Sequence, residues 1–158
     1  MPKTRHAQVI LLLADGFDEA AVSIVLTELR QAGLAVSLVG LRSRPVNGAH
    51  GLVIVPSTSL DRVLELSSPI LALILPEGTG HLARLRVDPR VGNLLQKSIA
   101  EDAMLVGLGD QVTKMILDLA EIDGKPIRIL EPEAGMYLQD FAHTLAQQLV
   151  GVVDGSFV

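Results

Sequence analysis

Val9-Ile10-Leu11-Leu12-Leu13-Ala14, broken by Asp15-Gly16-Phe17-Asp18-Glu19, is the stretch whose reading decides the fold. The apolar run has strand length. Its apolarity is continuous rather than alternating, so both faces of the strand must be covered. The period then changes. Val22, Val25, Leu26, Leu29 and Ala32 recur at helical spacing and predict a helix over 18–32. Asp18 and Glu19 suit the positive N-terminal end of that helix, and Gly33 suits its stop. Leu34–Val39 is a second strand. Strand, helix and strand in this order form a βαβ unit, the building block of a parallel sheet.

The alternation continues downstream. Pro45-Val46-Asn47-Gly48 is turn chemistry, and Gly51–Pro56 is a short β-rich segment. Ser59 is placed to cap a helix over 59–66. Ile70–Leu75 is another fully apolar strand, closed by Pro76-Glu77-Gly78-Thr79-Gly80. A short helix over 82–85 and a second one opened by Pro89 come next. Ala103–Val106 is a strand that runs into Gly107-Leu108-Gly109, after which Asp110 is expected to cap a helix. Asp123-Gly124 is a turn signal and Ile127–Leu130 a strand. Pro132 is expected to open a last helix that stops near Gly151. No linker or repeat interrupts this order, so residues 1–158 read as a single α/β domain. Its mostly parallel, doubly wound sheet carries helices on both faces.

Composition agrees and excludes several functions. Of 158 residues 49% are hydrophobic but only 3% aromatic, so the core must be aliphatic. With 13 basic and 18 acidic residues the net charge is −5, which repels a phosphate backbone and argues against nucleic acid as a partner. Arg84, Arg86 and Arg90 cluster around Asp88-Pro89 and read as a solvated helix face. There is no cysteine, which removes disulfides, thiolate catalysis and thiol-ligated metals. No apolar segment is long enough to span a membrane and none resembles a secretory signal, so a cytoplasmic location is expected.

In such folds ligands bind beyond the C-terminal ends of the strands. Three junctions therefore matter: 15–21, 76–81 and 107–111. The third has the outline of a nucleophile elbow, a buried strand entering a glycine turn and then a helix. Yet Val106-Gly107-Leu108-Gly109-Asp110 contains neither serine nor cysteine, so no attacking atom is present. Asp15, Glu77 and Asp110 close three neighbouring strands. They read either as a carboxylate cluster that binds a cation or shares a proton, or as a turn residue, a solvated loop residue and a helix cap. His81 reads either as an acid/base group or as an exposed turn histidine. The glycine turns lack the spacing of a phosphate loop or a dinucleotide fingerprint.

Taken in order, these pieces resemble the DJ-1/PfpI family. Val9–Glu19 is similar to that family's first strand and turn, and Arg30-Gln31-Ala32-Gly33-Leu34-Ala35-Val36 to its helix-to-strand joint. Asn47–Asp61 is similar to its central β segment, Ala72–Gly78 to its strand ending in Pro-Gly-Gly, and Leu85–Leu95 to the helix that follows. The resemblance covers residues 8–116 and implies a three-layer sandwich and a homodimer. It also implies a site made of a cysteine, an acid on the first helix, a histidine and an oxyanion-binding amide pair. Carried over residue by residue, the cysteine falls at Gly107 and the acid at Ala21, with Asp18 and Glu19 close by. No histidine matches. Gly78 keeps the second glycine of Pro-Gly-Gly while Glu77 replaces the first, and the Leu108 amide is the other expected donor.

The resemblance therefore implies a non-catalytic relative with a vestigial pocket at Gly107, Leu108, Gly78, Ala21, Glu77 and Asp110. It would act by binding a partner protein or small ligand. Helix 18–32 and the tail Val152–Val158 are the expected dimer contacts. No cofactor is expected. The alternative is a hydrolase, glyoxalase or lyase built on Asp15, Glu77, His81 and Asp110.

Overall fold

A computed structural model of the chain describes residues 7–120 and 127–154. Strands β1 (Gln8–Leu13) and β2 (Val36–Gly40) flank helix α1 (Glu19–Gln31), as the hydrophobic period requires. A two-stranded antiparallel hairpin, β3 (Val46–Asn47) and β4 (Val53–Ile54), and a short strand β5 (Thr58–Ser59) lead into α2 (Leu60–Glu65). Strand β6 (Ile70–Leu75), helices α3 (Thr79–Val87) and α4 (Pro89–Ala100), strand β7 (Met104–Gly107) and helix α5 (Asp110–Leu119) follow. Strand β8 (Ile129–Leu130) and helix α6 (Leu138–Asp154) complete the order.

The six-stranded sheet runs β5-β2-β1-β6-β7-β8, and every pairing in it is parallel. Alternate residues of β1 enter different cores. Val9, Leu11 and Leu13 pack with α1 and α6, whereas Ile10, Leu12 and Ala14 pack with α2, α4 and α5. That is why the run had to be apolar throughout. Each large aliphatic side chain so buried is worth roughly 1.5–3 kcal/mol. Chain order reverses direction between β1 and β6, and this switch point is where such a fold places its ligand crevice.

Several sequence expectations change. The helix expected over 82–85 runs from Thr79 to Val87. The last helix starts at Leu138 rather than Pro132, because Gly135 adopts a φ of 81° and turns the chain first. Gly151 does not stop that helix: it lies buried inside it, and the helix continues to Asp154. Ser59 stands at the N-cap of α2, but its side chain accepts no capping hydrogen bond, being buried in β5. The turn expected at Asp123-Gly124 lies outside the described residues. Among the described residues no helix is long and apolar enough to cross a membrane.

Candidate functional site

The turns after β1 and β6 meet at the switch point, and they meet backbone against backbone. The Asp18 amide donates to the Glu77 carbonyl at 3.0 Å, and the Gly16 amide to the Asn47 carbonyl at 2.7 Å. Gly78, at a φ of 134°, sits directly on the Gly16 carbonyl, so that a Cβ there would collide with it. Phe17 is fully buried and joins Ala21, Val106 and Leu108 in one apolar cluster. The crevice is narrowed by its own walls.

Glu77 is the pivotal side chain. Helix α5 begins after Gly109, which has no side chain to cap it. The Glu77 carboxylate takes over that task from the neighbouring turn. Its Oε1 accepts from the Gln111 amide at 3.0 Å and from the Val112 amide at 3.4 Å, and it lies where a Cβ of Gly109 would stand. The positive end of α5 is thus satisfied internally. Burial, the largest influence, raises the Glu77 pKa. The bonds from Val112 and Gln111 oppose that rise, and the charges of Asp110 and Glu131 add to it. Asp110 is the first residue of α5 and not its cap, which corrects the sequence expectation. Glu77 is correspondingly a cap rather than a solvated loop residue.

The remaining candidates are spread out. Asp15 Oδ1 accepts from the Asn47 amide at 2.9 Å and so anchors the hairpin. His81 is not an exposed turn residue. It is fully buried on α3, and its Nδ1 accepts from the Ala14 amide at 3.0 Å, which requires the Nε2–H tautomer. Its Nε2 has no hydrogen-bond partner of adequate geometry among the described residues. Burial pushes its pKa down to about 4, and the carbonyls of Ala14 and Pro76 pull only weakly the other way. Of the four groups in the alternative enzymatic reading, Glu77 and Asp110 feel each other's charge. Among the described residues no three His, Asp or Glu side chains are grouped to hold a metal ion.

Glu19 has a task that the sequence did not reveal. Its Oε2 accepts from the His50 amide at 2.8 Å and the Leu52 amide at 3.1 Å, while Oε1 meets His50 Nδ1 at 3.1 Å. Partial desolvation raises its pKa, but the bonds from Leu52 and His50 outweigh that and leave it lowered. The acid of α1 is spent on clamping the 48–52 loop.

At the third junction the backbone lacks the strain of an elbow. Gly107 is not among the positive-φ residues and closes β7 as an ordinary strand position. The Leu108 amide, expected to point inward, donates instead to the Leu75 carbonyl at 3.0 Å. A Cβ at Gly107 would lie 2.5 Å from Thr113 Oγ1, which is itself held by the Gly109 carbonyl at 2.8 Å. Gly107→Ala is therefore expected to cost about 1–3 kcal/mol by overpacking. Thr113→Ala in the same chain should recover most of that loss, a non-additivity that urea melts of the double-mutant cycle would read directly.

A model of the DJ-1/PfpI family matches residues 7–109, most of the chain, including both turns of the switch point and Gly107 itself. The chain belongs to the DJ-1/PfpI family. Solved structures agree on the fold. A DJ-1 superfamily protein from Salmonella typhimurium, solved as a cysteine-to-alanine mutant, is 22% identical with a TM-score of 0.74, over 95% of each chain. Drosophila melanogaster DJ-1beta is 20% identical with a TM-score of 0.70, over 96% of this chain and 98% of its own. Toxoplasma gondii DJ-1 is 14% identical with a TM-score of 0.66, over 93% and 90%. This DJ-1/PfpI chain has no cysteine anywhere.

Proposed function

We propose that this member of the DJ-1/PfpI family performs no thiol chemistry and acts by binding a partner protein or small ligand, as a homodimer. The observation that carries the reading is the Glu77 carboxylate on the Gln111 and Val112 amides. A helix N-terminus able to stabilise an incoming negative charge is already bonded to a carboxylate of the chain's own. The absence of a nucleophile at Gly107 and the use of the Leu108 amide by Leu75 support the same conclusion. Phe17 and Leu108, both buried, weigh against an open pocket for the alternative carboxylate enzyme.

Dimerisation through α1 has little support, because Val22, Val25 and Leu29 are buried within the chain. Exposed apolar surface lies instead on and beside the hairpin. Leu52, Val53 and Val55 are 49%, 54% and 74% exposed, a self-complementary candidate for a two-fold contact. Light scattering coupled to gel filtration is expected to return twice the 16.8 kDa chain mass, and Val53→Asp with Val55→Asp to return the chain mass alone. A monomer for the unaltered protein would overturn the dimer. Assay of the purified protein with methylglyoxal is expected to match the buffer blank. Enzyme-dependent loss of the aldehyde would overturn the non-catalytic reading.

A further inference from the structure

A second concavity opens beyond the ends of β1 and β2, between the 41–46 segment and the junction of α3 with α4. It has a volume of about 440 Å³, and none of the residues discussed at Gly107 lines it. Its charge is unusual for this chain. Arg42, Arg44, Arg84 and Arg90 line it against Asp15 and Asp88, a balance of 4 − 2 = +2 in a protein of net charge −5. Every cation there is arginine, the side chain whose planar fork suits paired oxygens.

The four arginines differ in how they are held. Arg90 is committed to Asp88 at 2.6 Å and to Asp61 at 2.9 Å, so it braces the wall. Arg84 is positioned by neutral groups only: its Nη1 donates to the Gly80 carbonyl at 3.1 Å and the Asp15 carbonyl at 3.3 Å. Arg42 and Arg44 form no ion pair among the described residues, although the charge of Arg42 reaches Asp88. The wall also offers apolar surface, with Leu41, Pro45 and Val87, the last 81% exposed. The cleft has the volume range of small-molecule sites, with four arginines, two of them held in place, beside an apolar wall.

We infer that this cleft binds a small phosphomonoester, its phosphate held by Arg42, Arg44 and Arg84 and its body against Leu41, Pro45 and Val87. This deepens the binding reading above by naming a ligand class, but it stands on different residues. Methylglyoxal turnover would overturn the non-catalytic reading and leave the cleft untouched, and a failed phosphate titration would do the reverse.

The test is a titration of the full chain with glycerol 3-phosphate at about 0.15 M salt, where loose attraction is screened, followed by amide resonances. Saturable shifts confined to residues 41–46 and 84–90 are expected, with no response to glycerol. Arg42→Gln with Arg44→Gln should weaken binding about tenfold or more, a loss of two of the three phosphate-holding guanidiniums. Arg62→Gln with Lys114→Gln, the same charge change at exposed positions outside the cleft, should leave it unchanged. Shifts that do not saturate, equal weakening by both double variants, or tighter binding of succinate than of glycerol 3-phosphate would each overturn the assignment.

Discussion

Gly78→Ala is expected to lower stability by about 3 kcal/mol or more, the sum of backbone strain and a steric collision. Two independent causes act at this residue. Its φ of 134° lies in a region that side chains rarely adopt, and its missing Cβ faces the Gly16 carbonyl, with the Phe17 backbone 3.1 Å away. Backbone atoms of a turn cannot swing aside as a long side chain does. The Asp18–Glu77 bond that joins the two turns, and the Gly16–Asn47 bond that ties the first of them to β3, would have to lengthen. For a chain of this size the loss corresponds to a fall in Tm of about 10 °C, measurable by calorimetry. An alanine variant that melts with the parent would show that the turns after β1 and β6 do not pack as described.

Acidification should destabilise the protein through His81. In the unfolded chain this histidine titrates near its ordinary value of 6.5, whereas burial holds it neutral in the folded chain down to about pH 4. Between those values the unfolded state binds a proton that the native state refuses. The stability that depends on a neutral imidazole is therefore present above pH 6.5 and lost as pH falls towards 4. Its size is on the order of 3 kcal/mol. Urea midpoints across this range should fall, and His81→Gln should remove most of that slope. Glutamine does not titrate and keeps an acceptor for the Ala14 amide. Glu19 and Asp88, whose pKa values are lowered, add their own acid loss below their ordinary values of 4.5 and 3.8, while Glu77, whose pKa is raised, acts in the opposite sense above 4.5, so the histidine's share is read as the difference between the slopes of the parent and the glutamine variant. A wild-type profile parallel to that of the glutamine variant would rule this account out.

What was legible in the sequence is what depends on residue type and short-range period. Val9–Ala14 and Ile70–Leu75 read as strands buried on both faces because nothing polar interrupts them, and Asp18 and Pro89 marked true helix starts. The terminal helix was misplaced because Pro132 is a start signal only when the next residues can follow, and Gly135 turns away. Arg84 and Arg86 are exposed, as a solvated face requires, but that Arg42 and Arg44 line the same cleft as Arg84 and Arg90 was hidden because they are distant in the chain. Arg86, beside them in sequence, in fact leaves the group and faces Asp118 at 3.6 Å.

The sequence by itself determined that the protein is an aliphatic α/β sandwich with no thiol and no hydroxyl at Gly107, since which atoms a residue carries does not depend on folding. Only the tertiary structure decided how the remaining polar groups are used. Glu77 caps a helix that begins more than thirty residues later, His81 lies inside the core, the Leu108 amide belongs to β6, and four arginines share one cleft. Hydrogen bonds and burial follow the distances between turns brought together by the parallel sheet, and those distances are not written in the order of the chain.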